Sequence, residues 1–273
     1  MLGCLKKMTT ELTEPVSYQL AVGDELIALN SLLGKELALR HTGRIFCVHC
    51  GKKTTKSFNQ GYCYPCFTTL AQCDLCIVKP ETCHYAEGSC REPAWGESYC
   101  FQPHVVYLAN SSGIKVGITR RSQIPTRWID QGAVQALPVF EVASRYLSGL
   151  LEVALAKQVS DKTSWQKMLK NNVEVLDLKG LRDTLLDVCA DDINAVVERF
   201  GADSVVPLPL TEAQVICLKY PVLEYPGKIK SFNFDKQAGV SGMLQGIKGQ
   251  YLLFDTGVIN IRKFGGYEVE VDF

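Results

Sequence analysis

Four cysteines in the first quarter of the chain have the spacing of metal ligands. Cys47 and Cys50 form one Cys-x-x-Cys pair, and Cys63 and Cys66 form a second pair after twelve intervening residues. Each pair places two thiolates on one side of a tight turn, and two such turns supply the four sulfurs of a tetrahedral structural zinc ion. Gly51 suits the backbone reversal that must follow the second ligand. The spacing therefore predicts a zinc-ribbon segment that holds Zn²⁺.

A second group of potential ligands follows directly, and the sequence leaves its ligand set open. The candidates are Cys73, Cys76, Cys83, His84, Cys90, Cys100 and His104. A third Cys-x-x-Cys pair, Cys73 and Cys76, is expected to supply half of a second site, for which Cys83, Cys90 and Cys100 compete. A second zinc ion is the first expectation, and an iron–sulfur cluster is the alternative because four thiolates also hold one. Closed Cys₄ zinc sites lack the open coordination position that catalysis needs, so we expect a structural role.

Composition and cysteine content restrict the class of protein. Lys+Arg and Asp+Glu are both 29, and 47% of the residues are hydrophobic, which is typical of a globular protein and excludes a polycation. Lysines at positions 6 and 7 precede any apolar stretch of signal-peptide length, and no stretch approaches the length of a membrane span. We therefore expect no membrane association and a cytoplasmic location, where clustered cysteines usually bind metal.

Basic residues are concentrated in two stretches that contain no acidic residue. Residues 37–73 carry five basic side chains and residues 98–129 carry four. Together with the aromatic residues between positions 58 and 67, these stretches predict contact with the phosphates and bases of DNA or RNA. The alternative is a solvated basic surface above buried rings. The candidate nucleic-acid contacts are Lys52, Lys53, Lys56, Arg120 and Arg121.

The elements that must position these residues indicate an α+β fold. Residues 1–46 contain short apolar runs with turn signals between them, and residues 206–273 return to the same pattern. Between them, 105–109 and 114–118 read as a hairpin, Pro125 as a helix start, 139–143 as a strand and 149–159 as a helix. A near-3.6 period over 181–197 predicts one amphipathic helix. We expect four domains, 1–46, 47–104, 105–205 and 206–273, with the first and last packed together.

Residues 105 to about 165 resemble the GIY-YIG endonuclease domain. Val105-Val106-Tyr107 stands where the first motif would lie, and Lys115-Val116-Gly117 stands where the second would lie. Arg127 matches the arginine of the motif helix, and Glu152 matches the metal-binding glutamate. The chain departs from the pattern at Lys115, in place of tyrosine, and at Ser164, in place of asparagine. The resemblance implies a small antiparallel sheet with helices for this region, which the predicted zinc-ribbon segment precedes and the β-rich terminal segments flank.

The resemblance also implies an activity, the divalent-metal-dependent hydrolysis of phosphodiester bonds. Tyr107 would act as general base or position the water, and Arg127 would contact the scissile phosphate. Glu152 would bind Mg²⁺ or Mn²⁺, which prefer carboxylate oxygen. Lys115 would stabilise the phosphate or lower the pKa of the tyrosine.

Along most of its length the chain is also similar to an uncharacterised bacterial family of cysteine-rich proteins, which brings no activity with it. Three functions remain as hypotheses: a nuclease, a nucleic-acid-binding protein without catalysis, and a zinc-supported protein–protein adaptor. Binding that depends on salt would separate the first two from the third, because phosphate contacts release counterions.

Overall fold

Antiparallel sheets and helices alternate along the chain, so the computed structural model has the predicted α+β fold. It describes residues 1–159, 164–209, 211 and 213–273. The strands are β1 (Leu2–Cys4), β2 (Thr9–Glu11), β3 (Ser17–Val22), β4 (Glu25–Ala28), β5 (Glu36–Phe46), β6 (Lys53–Thr54), β7 (His104–Asn110), β8 (Ile114–Arg120), β9 (Gln135–Val142), β10 (Val205–Pro207), β11 (Ile216–Cys217), β12 (Gly239–Lys248), β13 (Tyr251–Phe254), β14 (Gly257–Asn260) and β15 (Tyr267–Asp272). The helices are α1 (Tyr64–Thr69), α2 (Pro93–Cys100), α3 (Thr126–Asp130), α4 (Arg145–Ala156), α5 (Trp165–Leu169), α6 (Leu178–Val188) and α7 (Ala190–Phe200).

The largest sheet is built from both ends of the chain. Its strand order is β1-β15-β5-β12-β13-β14, and β6 pairs with β5. The long strand β5 lies between β12 and β15, so that Leu39 faces Val240 on one side and Val271 on the other. All three side chains are buried. The two β-rich segments thus share one sheet and one core, while the division of the chain into four domains stays a prediction.

A second sheet, of order β10-β9-β7-β8 with β11 on β9, contains the predicted hairpin. Strand β7 is buried along its whole length because it separates two cores. Val105, Tyr107 and Ala109 pack into the core of the terminal sheet, whereas Val106 and Leu108 pack against the helices. This position explains why the strand is apolar on both faces rather than alternating.

Helix α4 packs on the side of this sheet that carries Val106 and Leu108. Ser144 caps its N-terminus by accepting a hydrogen bond from the backbone N–H of Leu147 at 3.4 Å, which starts the helix four residues before the predicted position. Leu147, Leu151 and Leu155 form its buried face. Glu152, the glutamate predicted to bind metal, lies at the edge of this buried face and lines the cleft described below.

The single amphipathic helix predicted over 181–197 is wrong, because the structure divides this region into α6 and α7. The chain leaves helical geometry at Cys189, where φ is −98° and ψ is 12°. The buried thiol of Cys189 donates to the carbonyl of Ala154 on α4 at 3.7 Å. Because both helices pack on the same core, the apolar period continues across the break and conceals it.

No helix in the described part of the chain combines the length and the apolar character needed to cross a bilayer.

Candidate functional site

The first cysteine cluster is assembled by a loop and a helix start. Cys47 follows strand β5 directly, Cys63 is the N-cap of α1, and Cys66 lies in the first turn of that helix. The sulfurs of these residues and of Cys50 all lie within 4.8 Å of one another, and those of Cys50 and Cys63 are 3.8 Å apart. A tetrahedral zinc ion with Zn–S bonds of about 2.3 Å separates its sulfurs by about 3.8 Å. The four cysteines are therefore close enough to bind one metal ion.

The local electrostatics favour a thiolate at the first ligand. Burial raises the pKa of Cys47, but the backbone N–H groups of Cys50, Cys63 and His49 outweigh it and lower the pKa to about 6. Burial, and then the neighbouring thiols, raise the pKa of Cys66. A metal ion would offset this mutual repulsion by taking all four sulfurs as thiolates, with release of protons.

The second cysteine group surrounds a small cavity of about 30 Å³. The thiol-bearing residues that line it are Cys76, Cys83, Cys90 and Cys100. Cys73 does not line it, because it ends one 3-10 turn and Cys76 lies in the next, with Asp74 in extended backbone between them. Only Cys76 of this pair lines the cavity, so the prediction that Cys73 and Cys76 share a metal site is not supported by their positions and stays a prediction.

The two histidines of the second group have different surroundings. His84 lies with Asp74 and Cys76 at ligand spacing, within 4.8 Å, and its Nδ1 is 2.8 Å from Ser89 Oγ. His104 is fully buried in β7, where its Nδ1 donates to the carbonyl of Gln102 at 2.7 Å. Burial lowers the pKa of His104 to about 4, so this ring is neutral at physiological pH.

A cleft of about 720 Å³ lies where the segment of the first cysteine cluster (residues 47–66), α2, the β7–β8 hairpin, α3 and α4 meet. Lys115, Arg127 and Glu152 all line it, from three different elements. Tyr107 lies beneath the cleft floor and is fully buried. The structure thus gathers the side chains that the resemblance assigns to catalysis, and their roles stay predictions.

The position of the tyrosine depends on the glycine opposite it. Tyr107 and Gly117 are partners in the β7–β8 register, and a Cβ at position 117 would lie 2.7 Å from the tyrosine oxygen. This close approach lets the hydroxyl reach α3, where it donates to Gln131 Oε1 at 3.0 Å. Burial raises the pKa of Tyr107 to about 12 although Arg127 opposes the shift, so the phenol is protonated at neutral pH.

The glutamate of α4 is held in a partly buried, electrically mixed environment. Burial, followed by the carboxylate of Glu81, raises the pKa of Glu152 to about 6. The cations of Arg145, Arg127 and Lys115 oppose this shift. Glu152 is therefore mostly ionised at pH 7, and a carboxylate with water ligands beside it is the donor set that Mg²⁺ and Mn²⁺ accept.

Positive charge dominates the described lining of the cleft. The basic residues are Lys7, Lys115, Arg120, Arg127, Arg145 and Arg262, against the acidic residues Asp130 and Glu152. Asp130 is ion-paired with Lys7 at 2.5 Å and accepts a hydrogen bond from Gln250 at 2.9 Å. The remaining excess of cations makes the cleft suitable for a polyanion.

Of the residues predicted to contact nucleic acid, only Arg120 lines the cleft. Its guanidinium lies 4.0 Å from the ring centroid of Tyr99, which stacks on Trp95 at 4.1 Å, and both rings also line the cleft. Arg121 is exposed and paired with Glu141 at 2.5 Å. Lys52, Lys53 and Lys56 are exposed residues between Cys50 and Cys63 and lie outside the cleft lining.

Several cleft residues were not among the sequence predictions. Arg145 had a usable signal, because it lies seven residues before Glu152 on the same face of α4. Gln131 lies four residues after Arg127 and is the C-cap residue of α3. Lys7 and Arg262 had no such signal, since only the tertiary fold brings them to the cleft. Ser164, which stands where the GIY-YIG resemblance leads one to expect asparagine, caps α5 and accepts from Lys167 N at 3.5 Å, and it does not line the cleft.

Comparison with known proteins identifies the chain at the level of a family. No curated protein and no solved structure matches it. A family described as "Protein of unknown function (DUF2797)" matches residues 34–269, which include both cysteine clusters, every lining residue of the cleft except Lys7 and most of the terminal sheet. The chain therefore belongs to this family.

Proposed function

We propose that the protein is a zinc-stabilised, divalent-metal-dependent nuclease of the GIY-YIG type. The observation that carries the proposal is the common cleft of Lys115, Arg127 and Glu152 above Tyr107. These residues come from three different elements, β8, α3 and α4. The packing of these elements alone does not require the three side chains to line the same cleft. Their residue types supply a cation for a phosphate, a carboxylate for a metal ion and a hydroxyl for hydrogen bonding.

Each side chain has a distinct task in this proposal. Arg127 and Lys115 bind the scissile phosphate and stabilise the charge that develops on it. Glu152 would hold the divalent metal ion, which supplies an activated water and neutralises phosphate charge when it is bound. Tyr107, with a pKa of about 12, remains protonated and holds Gln131 at the edge of α3. We therefore favour a positioning role for Tyr107 over a role as general base.

The cysteine segment contributes position rather than chemistry. We infer that the cluster of Cys47, Cys50, Cys63 and Cys66 holds zinc, because four thiolates at this spacing match its tetrahedral preference. The segment between these ligands places Asn59, Gln60 and Tyr62 on the cleft wall. None of the twelve cysteines forms a disulfide, which fits the reducing cytoplasm that we propose as its location.

A second candidate function is nucleic-acid binding without cleavage, and the excess of cations in the cleft favours it equally. The two functions differ in their response to a divalent metal ion, which the nuclease requires for cleavage and the binding protein does not use. The test is incubation of labelled single- and double-stranded DNA and RNA with the purified protein, with Mg²⁺, with Mn²⁺ and with a chelator. The nuclease proposal expects metal-dependent cleavage, whereas salt-sensitive binding without cleavage under every condition would replace it with the second function.

A further inference from the structure

Four thiols from separate parts of residues 73–100 surround the small cavity of the second cysteine group. Cys76 lies in the 3-10 turn Leu75–Ile77, Cys83 and Cys90 lie in loops, and Cys100 is the last residue of α2. The cavity between them measures about 30 Å³, whereas a single water molecule requires about 10–15 Å³. The thiols therefore enclose room for more than one atom.

The spacing of these sulfurs differs from that of the first cluster. One zinc ion with Zn–S bonds of about 2.3 Å cannot bridge sulfurs more than about 4.6 Å apart. The sulfurs of the first cluster all lie within 4.8 Å of one another, but among the residues that the structure describes those of Cys76, Cys83, Cys90 and Cys100 do not. A group of several atoms suits the wider arrangement, since it binds each sulfur at a different atom.

Apolar and aromatic side chains lie beside the thiols around this cavity. Ile77, Tyr85, Trp95 and Phe101 line it. Gly96 of α2 lies beside the cavity, where a Cβ would be in ordinary van der Waals contact with the Cys90 sulfur at 3.5 Å. Phe101 is 50% exposed and the other three side chains are partly buried, so these apolar groups reduce the contact of the thiols with solvent, and solvent access is one of the properties that govern thiolate-bound clusters. Arg145 supplies positive charge close by, donating to the carbonyl of Ile77 next to Cys76.

We propose that Cys76, Cys83, Cys90 and Cys100 hold an iron–sulfur cluster. This proposal is independent of the nuclease proposal. The rival site for a single ion is Asp74, Cys76 and His84, which lie within 4.8 Å of one another. However, the carboxylate of Asp74 is ion-paired with Arg91 at 2.7 Å and also caps the N–H of Cys76 at 3.4 Å. The rival site therefore offers a carboxylate that already has a cationic partner.

The cluster would fix a loop that packs directly on the cleft helix. Between Cys76 and Cys83 the chain passes over α4, where a Cβ at Gly149 would lie 2.6 Å from Pro80 Cβ and 2.7 Å from Glu81 N. The same loop brings Glu81 near enough to raise the pKa of Glu152. Occupancy of the cluster therefore determines how firmly this loop supports the cleft.

The test is metal and sulfide analysis of the full chain, purified without oxygen and reconstituted with iron and sulfide. The wild type should be brown and contain iron and acid-labile sulfide in equal amounts, about two to four of each per chain. Cys83→Ser and Cys90→Ser should lose this iron and sulfide and keep the zinc of the first cluster, which also reports that they fold. His84→Ala, Cys73→Ser and the exposed-thiol control Cys217→Ser should keep the iron.

Two results would overturn the proposal. One is a reconstituted wild type that contains zinc at both sites and no acid-labile sulfide. The other is loss of iron in His84→Ala together with its retention in Cys90→Ser. If the cysteine variants do not fold, electron paramagnetic resonance of the reduced wild type decides, because a reduced iron–sulfur cluster gives a signal and a zinc site does not.

Discussion

Gly117 and Tyr107 face each other across the β7–β8 pair so closely that a Cβ on the glycine would lie 2.7 Å from the tyrosine hydroxyl oxygen. The buried tyrosine thus explains why position 117 is a glycine. We predict that Gly117→Ala forces the buried ring to move and lowers the free energy of unfolding by about 1–3 kcal/mol. Thermal or denaturant unfolding measures this. Gly227→Ala is the control, because no described atom lies within 4 Å of the position that its methyl group would take; equal stability of both variants would contradict the geometry.

Tyr107→Phe distinguishes the role of the hydroxyl from that of the aromatic ring, because it removes only the hydroxyl. The variant keeps the edge contact with Trp128, whose ring centroid is 5.9 Å away, and loses the hydrogen bond to Gln131. We expect a loss of about 0.5–1.5 kcal/mol of stability and a reduced cleavage rate in folded protein. Cleavage at the wild-type rate would show that this tyrosine serves only the core.

Glu152→Gln should have opposite effects on stability and on activity. The folded-state pKa of about 6 lies above the ordinary 4.5, so ionisation of Glu152 destabilises the fold as pH rises through 6. The shift corresponds to about 2 kcal/mol. The variant should therefore be more stable than wild type above pH 6, and this difference should vanish below about pH 4.5. Unfolding curves across this pH range measure it; a variant less stable than wild type at pH 8 would contradict the environment described for Glu152.

The local parts of this structure were predictable from the sequence. β-branched runs on either side of Asn110–Gly113 indicate the hairpin, and the two Cys-x-x-Cys pairs indicate the first metal cluster, because both signals act over a few residues. The association of the terminal segments was expected, but the register between Leu39, Val240 and Val271 depends on long-range pairing.

The composition of the cleft was less predictable for the same reason. Arg262 reaches the cleft from the far end of the chain, where it donates to Gln60 Oε1 at 2.7 Å. The shared site of Cys73 and Cys76 was predicted from their short spacing alone, and it stays a prediction. The 3-10 turns on either side of Asp74 direct the two thiols to different surroundings.

Removal of a ligand from the first cluster should remove the metal and destabilise the segment of residues 47–66. Cys47→Ser or Cys66→Ser leaves three sulfurs, and we expect the bound zinc to fall from about one ion per chain to a small fraction of it. Elemental analysis measures the loss. Cys217→Ser, an exposed thiol in β11, is the control and should retain the wild-type zinc content; zinc that persists in both ligand variants would place the ion elsewhere.

Two neighbouring arginines should differ in their effect on nucleic-acid binding. Arg120 lines the cleft, whereas Arg121 is exposed and paired with Glu141. We predict that Arg120→Gln weakens binding and reduces the slope of log affinity against log salt by about 0.7–0.9, the value for one phosphate contact. Arg121→Gln should leave the slope unchanged. Fluorescence anisotropy at several salt concentrations checks this, and equal slopes for both variants and wild type would remove Arg120 from the binding surface.

Arg127→Ala should reduce cleavage by about 10²–10³-fold, which corresponds to about 2.7–4 kcal/mol for the loss of a donor that stabilises developing charge. Its effect on binding should be much smaller, because other cations of the cleft remain. Single-turnover cleavage rates and affinities measured in parallel test this split. An equal loss in both quantities would indicate that Arg127 only binds the backbone phosphate.

The most direct test of the nuclease proposal compares Glu152→Gln with Glu198→Gln, a matched change at an exposed glutamate of α7. Both variants and the wild type are assayed for Mg²⁺- and Mn²⁺-dependent cleavage, for nucleic-acid binding without metal and for zinc content. The proposal predicts that Glu152→Gln alone loses cleavage, while all three proteins retain binding and zinc. Undiminished cleavage by Glu152→Gln, or none by the wild type on any substrate, would contradict it.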